Sequence, residues 1–311
     1  MSVTPASPAT KRFKSICIVL NPVSGLETDT EAALRTFLET VEDVEWRIDL
    51  TEGAGDAARF AGEAAKSDCD LVLACGGDGT VLEVAEGLLG SETLMAILPN
   101  GTANVMSVEL GYPQNLERIL EKLLLGEYTV KNVDVAKIDN RKMLLRAGLG
   151  YEAEISVGAT REGKRKFGRL AYFQAAWRKL RGLRPVNYKM LLDGKIVAAR
   201  GVTCMICNSA NVGLPHIRMA AEAAVDDGLL DIIIIPSLNL PSVISFGWSI
   251  VRSIFPQAWK RPSPILHWQA REVVVETSRS QTIAVDGERL KRGRRLEAGI
   301  LPQPIRIAVP E

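Results

Sequence analysis

"LACGGDGTVLEVAEGL" occupies Leu73–Leu88. An apolar run stops at Gly76-Gly77-Asp78-Gly79-Thr80, and apolar residues then recur at helical spacing from Val81. This predicts a strand, a tight turn and a helix. Glycines in such a turn allow positive φ and let a ligand approach the backbone. N–H groups at the start of the following helix point into the turn and suit a phosphate. Thr80 is placed to cap that helix or to bond a phosphate oxygen. Asp78 has two readings. It is the side-chain cap of a glycine turn, or it partners a Mg²⁺ carried by phosphate, since a bare carboxylate would repel the anion. Neither GxxxxGKS/T nor GxGxxG is present; Leu82 stands where the latter needs its third glycine.

The pattern extends outward from this stretch. "SICIVLNP", "EWRIDLT", "CDLVLACGG" and "TLMAILPNG" read as strands, and Thr30–Val41, Gly55–Ser67, Thr80–Leu89 and Asn115–Leu125 as helices. Strand and helix in alternation predict a parallel sheet covered on both faces. After Val130 strand-like runs follow one another, from "VDVAKI" to "IRIAVP", with helical stretches only near Phe167–Leu180 and Val243–Phe255. That predicts a second, mainly antiparallel β domain. The expected divisions are a loose tail over 1–14, an α/β domain over 15–130 and a β domain over 131–311.

With 311 residues, 47% hydrophobic and 24% charged, the chain can build a sizeable core. A net charge of +1 gives no support to a nucleic-acid partner. Five cysteines do not make a disulfide framework and suit a reducing cytoplasm. Cys204 and Cys207 form one CxxC, without a second ligand pair for zinc. No uncharged apolar run is long enough to span a bilayer; Val243–Phe255 is short and interrupted by Arg252.

Two more loops carry polar groups at strand ends. "LNPVSG" offers Asn21, Ser24 and Gly25; "LPNGTANVMSVELGYP" offers Gly101, Thr102 and Asn104. Ligands of parallel α/β sheets sit outside the carboxyl ends of the strands, so three such loops together predict a nucleotide site. Later in the chain, "AVDGERL" holds Asp286-Gly287, a strong type I′ hairpin signal. "VDDGLLDIIII" holds Asp227-Gly228, a turn before a buried strand.

In this order and spacing, "NPVSG", "GGDGT", "LPNGTANVMSVELGYP", "VDDGLLDIIII" and "AVDGERL" resemble the diacylglycerol kinase catalytic-domain family. They resemble most the soluble bacterial lipid kinases, which are similar to sphingosine and ceramide kinases. The resemblance implies an α/β nucleotide domain, a β-sandwich lipid domain and an active site in the cleft between them. It implies Mg²⁺-dependent transfer of the γ-phosphoryl of ATP to a lipid hydroxyl. Carried over, the ATP site is Asn21, Thr51, Gly76, Gly77, Asp78, Gly79, Thr80, Val81, Leu82 and Thr102. Asp286 becomes the proton acceptor, with Glu288 on the same face if the segment is extended. Sphingosine-type relatives give the base role to the aspartate of GDG, here Asp78. A structural Mg²⁺ is implied at Asp227 with the carbonyls of Ala224 and Leu229.

The chain departs from the family between Asn208 and Asp226, where Met219 and Ala220 replace an expected proline; this leaves the lipid open. His216 lies in the same segment and reads as structural. "GKRKFGRLAYFQAAWRKLRGLRP", Gly163–Pro185, has basic and apolar residues and no acid. It reads either as a basic amphipathic helix for an anionic membrane surface or as an ordinary helix with a solvated basic face. The expected location is the cytoplasm, with transient contact at the inner face of the membrane. The sequence sets no oligomeric state. Two other functions compete: a kinase for a soluble acceptor such as NAD, and a nucleotide-sensing or membrane-binding module without turnover.

Overall fold

The computed structural model describes residues 12–24, 29–150, 184–209, 211, 223–236 and 265–311. The expected helices near Phe167–Leu180 and Val243–Phe255, the basic stretch 164–181, His216, Met219, Ala220 and Gly25 lie outside the described residues. Two compact units form, each described by itself.

The first unit runs to Val135 and takes in Leu301–Glu311. Its elements are β1 (Ser15–Leu20), α1 (Thr30–Leu38), β2 (Glu45–Leu50), α2 (Asp56–Lys66), β3 (Leu71–Gly76), α3 (Asp78–Leu88), β4 (Leu94–Pro99), α4 (Val105–Leu110), α5 (Leu116–Leu125) and β5 (Tyr128–Val133). The sheet order is β2-β1-β3-β4, followed by the chain's last strand, β16 (Ile305–Pro310), and then β5. β2, β1, β3 and β4 are parallel, as is β16 beside β4, whereas β16 and β5 are antiparallel. β1 and β3 are buried along nearly their whole length, as expected of strands covered on both faces. α5 begins where Asn115 Oδ1 accepts the Arg118 N–H at 2.8 Å and ends at Gly126, φ +80°.

Two expected boundaries move. "IRIAVP", expected in the second domain, pairs along β5 and completes the first sheet. The buried Tyr112 hydroxyl donates to the Ala308 carbonyl at 2.5 Å, fastening this strand to the loop after α4. The tail also ends sooner than residue 14. Phe13 is buried and stacks on Tyr128 with ring centroids 5.1 Å apart.

The second unit is an antiparallel β-sandwich built from β6 (Ala136–Ile138), β7 (Arg141–Met143), β8 (Arg146–Gly150), β9 (Val186–Leu192), β10 (Lys195–Gly201), β11 (Thr203–Cys207), β12 (Leu230–Ile235), β13 (Leu266–Ala270), β14 (Glu272–Val285) and β15 (Glu288–Ile300). β9 alternates strictly between buried and exposed, the mark of a sheet with one face on the core. Tyr188, Met190, Ile206, Ile232, Ile283 and Leu296 belong to that core. β14 joins the layers: its first half pairs with β9 and its last residues pair with β8. An irregularity between Glu276 and Gln281 marks the bend.

All five cysteines are free and buried. Cys204 packs in the sandwich core, while Cys207 belongs to a smaller cluster with Met205 and Ile233. Three positions apart on a strand, they point to opposite faces and cannot share a metal or form a disulfide.

Candidate active site

In the order β2-β1-β3, the chain leaves β1 toward one side of the sheet and returns to the other. The crevice of such a sheet lies outside the carboxyl ends of β1 and β3. Asn21 follows β1 there. Its N–H donates to the Cys75 carbonyl at 2.9 Å, and its Nδ2 donates to Thr80 Oγ1 at 3.2 Å. Thr51 follows β2, its N–H bonded to the Leu20 carbonyl at 3.0 Å. Gly76 is the last residue of β3, Gly77 the N-cap of α3, and Asp78 through Leu82 form the opening turns of that helix. Val81 is buried among core residues, so only its backbone is available to a nucleotide. No side chain caps α3; Thr80 is engaged with Asn21 instead, which removes the capping reading.

The loop after β4 closes onto this turn. The Asn100 N–H donates to the Gly76 carbonyl at 3.0 Å, and its Nδ2 reaches the Ser24 carbonyl at 3.2 Å and Thr30 Oγ1 at 3.3 Å. Asn104, at φ +48°, accepts the Gly101 N–H at 2.8 Å and returns a bond to the Gly101 carbonyl at 3.0 Å. The Met106 N–H opening α4 lies 3.4 Å from Asp78 Oδ1. Thr102 is exposed at the tip. Sequence reading passed over Asn100, although it stands in the quoted loop. It also missed Glu83, whose Oε2 accepts the N–H groups of Gly55 and Ala57 at 3.0 and 3.3 Å. That contact holds the start of α2, and with it the loop containing Thr51, against α3.

The glycines differ in purpose from expectation. Gly76, Gly77 and Gly79 all have ordinary φ. A Cβ at Gly76 would strike the Thr80 side chain, and one at Gly101 would lie 2.5 Å from Gly77 Cα. Gly79 meets nothing within 4 Å. The fold therefore does not require glycine at this helical position, where it weakens the helix relative to alanine. A ligand resting on the first turn of α3 would require it. Gly79→Ala is expected to raise thermal stability by roughly 0.5–1 kcal/mol and to weaken ATP binding. Melting curves and ATP titration check both, and unchanged affinity would remove the helix start from the site.

Asp286 and Glu288 belong to the second unit. Asp286 (φ +46°) and Gly287 (φ +87°) make the type I′ turn between β14 and β15. The turn is also a clamp. Asp286 Oδ1 accepts N–H bonds from Leu145 at 3.0 Å and Arg146 at 2.8 Å, and Oδ2 accepts one from Leu144 at 2.9 Å. The expected shared face with Glu288 fails, because the chain is not extended at Asp286. Glu288 is exposed and pairs with Arg141 at 3.2 Å. Ala224, Asp227 and Leu229 lie in the turn before β12, where Asp227 Oδ1 accepts the Leu229 N–H at 2.9 Å and Gly228 takes φ +71°.

Among the described residues no three His, Cys, Asp or Glu side chains are grouped to hold a metal. The single carboxylate of Asp78 suits a Mg²⁺ that arrives on a triphosphate, since that ion keeps its waters and phosphates and takes one or two carboxylates. Asp227 with backbone carbonyls is likewise an all-oxygen, hard-donor set. Burial, and for Cys17 also Asp49, pushes the thiols of Cys17 and Cys75 up to about 12, so neither is a nucleophile at neutral pH. No described helix is long and apolar enough to cross a membrane.

Residues 15–138 match the diacylglycerol kinase catalytic domain, and residues 145–309 the YegS C-terminal NAD kinase beta sandwich-like domain. The diacylglycerol kinase of Bacillus subtilis is 29% identical over 285 residues, 89% of this chain and 90% of that protein. A Pseudomonas aeruginosa protein named probable lipid kinase YegS-like is 27% identical, covering 95% of this chain and 94% of its own. A crystal structure of a candidate diacylglycerol kinase from Bacillus anthracis superposes with TM-score 0.75 at 27% identity, covering 97% of both chains. An Archaeoglobus fulgidus NAD kinase solved with ATP gives TM-score 0.51 at 12% identity over 96% of this chain and 94% of that one, a likeness of fold alone.

Proposed function

The chain belongs to the family that joins a diacylglycerol kinase catalytic domain to a YegS C-terminal domain, and from that premise we propose that it transfers the γ-phosphoryl group of ATP to the hydroxyl of a lipid, diacylglycerol or a related alcohol. Kinase chemistry and the use of ATP come with the family. The lipid acceptor and the part played by each residue are our reading. The observation that carries it is the convergence of Asn21, the Gly76–Thr80 turn and the Asn100–Asn104 loop at the β1/β3 switch point, with Gly79 kept clear of protein atoms.

Phosphoryl transfer asks a protein for position and charge compensation more than for covalent chemistry. N–H groups at the start of α3 take the phosphates, Gly79 and Gly77 let them approach, and Thr102 and Thr51 flank the nucleotide. Asp78 would hold the Mg²⁺ of the triphosphate, which would supply charge neutralisation to the transferred group. Asp227 and the carbonyls of Ala224 and Leu229 would hold a second, structural Mg²⁺. Asp286, oriented by its three N–H bonds, accepts the proton of the lipid hydroxyl as that oxygen attacks in line. The acceptor comes from a bilayer, so the protein works at the cytoplasmic face of a membrane.

The test is transfer from labelled ATP to diacylglycerol, sphingosine, ceramide and NAD, the lipids being dispersed in neutral detergent micelles. Transfer to a lipid and not to NAD supports the reading. Transfer to NAD alone reverses it, and ATP binding without transfer to any acceptor leaves the nucleotide-sensing module.

A further inference from the structure

β15 contains "ERLKRGRRLE", Glu288–Glu297. Arg289, Lys291, Arg292, Arg294 and Arg295 put five cations within seven residues and no acid among them, and all five are exposed. Two have carboxylate partners: Lys291 with Asp139, and Arg295 with Glu297 and Glu276. Arg289, Arg292 and Arg294 form no ion pair among the described residues. On one side β15 pairs with β14; on the other it meets β6 only at Ala298–Ile300. Among the described residues Arg289–Arg295 is therefore an unpaired edge, a line of positive charge about 20 Å long. The rest of the chain offsets this charge to leave a net +1, so the density is local.

Charged residues on an edge strand deter aggregation. One or two would suffice, and acids would serve as well. A second copy is a poor occupant, because edge-to-edge pairing would set five cations against five. Single-stranded nucleic acid is poorly suited too: such sites stack bases on aromatic rings, and Glu288–Ile300 has none. A plane of negative charge fits arginines spread along one strand, which reach it from both faces of the sheet.

We propose that the β15 edge is an electrostatic docking surface for an anionic lipid bilayer. The inference rests on the lipid reading above, which brings a membrane to the Asp286–Gly287 turn from which β15 starts. It assigns to this strand a role that the sequence suggested for the stretch Gly163–Pro185. Each basic residue near an anionic leaflet contributes on the order of a fivefold gain in partitioning.

The test is sedimentation of the full chain with vesicles of phosphatidylcholine alone and of phosphatidylcholine mixed with phosphatidylglycerol. Binding is expected only to the mixed vesicles and should weaken as salt rises. Arg289→Gln/Arg292→Gln/Arg294→Gln should reduce it on the order of a hundredfold. Lys195→Gln/Arg200→Gln on β10, which removes two exposed cations elsewhere, should leave it nearly unchanged. Equal losses in the two variants, retained binding in the triple variant, or displacement from the vesicles by single-stranded RNA at matched charge would overturn the proposal. Transfer in neutral micelles is measured on the same triple variant and should match the unsubstituted protein. If the unsubstituted protein phosphorylates no lipid in micelles yet binds mixed vesicles through these arginines, the lipid-kinase reading fails and the docking surface stands.

Discussion

Asp286→Asn is expected to lower turnover on a lipid acceptor roughly 10²–10⁴-fold, the usual contribution of a general base, with ATP affinity near its original value. Asparagine is the informative substitution because of the backbone. Asp286 sits at φ +46°, in the left-handed region that asparagine tolerates and alanine does not. The turn then keeps its geometry while the basic oxygen becomes an amide. The substitution also has a structural cost. Three N–H groups, from Leu144, Leu145 and Arg146, converge on the carboxylate. Asparagine supplies one acceptor oxygen and turns its NH₂ toward a donor, which costs about 1–3 kcal/mol if that N–H is left unmet. A lower melting temperature is therefore expected alongside the kinetic loss. The separation comes from conditions: turnover measured well below the variant's melting point reports the missing base, whereas instability alone would lower the amount of folded enzyme and spare its rate per molecule. A folded variant that turns over at the original rate would make Asp286 a clamp for Leu144–Arg146 and nothing more.

The clamp at Asp286 marks the limit of what the sequence could disclose. "AVDGERL" announces a hairpin turn through local chemistry, since both turn residues must reach positive φ. It does not announce that the aspartate faces three amides some 140 positions earlier in the chain, as its separation of 140 to 142 residues from them shows. The same holds for "IRIAVP". Its apolar pattern specifies a buried strand, and two sheets could bury it. Its place between β4 and β5 follows from non-local pairing and the Tyr112 bond to Ala308. Alternation of strands and helices before Val130 was legible because period and order are local properties, and so were the polar loops at the ends of β1, β3 and β4. The purpose of the glycines was not. Their torsions are ordinary; Gly76 and Gly101 are required because a Cβ there would strike Thr80 and Gly77, whereas Gly79 lies in open space and the fold itself does not require it.

Gly101→Ala is accordingly expected to damage the nucleotide site severely, through protein contacts alone. The added Cβ would lie 2.5 Å from Gly77 Cα and 2.7 Å from Asn104 Oδ1. Neither neighbour is a flexible side-chain end: one is backbone, and the other is held by two bonds to Gly101 itself. Relief requires the loop after β4 to move off the turn after β3. That movement strains the Asn100 N–H bond to Gly76 and the contact of the Met106 N–H with Asp78. Overpacking of this kind costs about 1–3 kcal/mol. If the displaced loops carry the phosphate-binding groups, a comparable loss falls on ATP binding, roughly 10- to 100-fold in affinity. Comparison with Gly79→Ala gives the result its meaning. That substitution enters open space and strengthens the helix, so its effect on ATP must come from the ligand. At Gly101 stability and affinity fall together; at Gly79 they move in opposite directions. Calorimetric titration with ATP and thermal melts of both variants would establish the pattern, and a Gly101→Ala protein that binds ATP as before would separate the two loops and end the single-site reading.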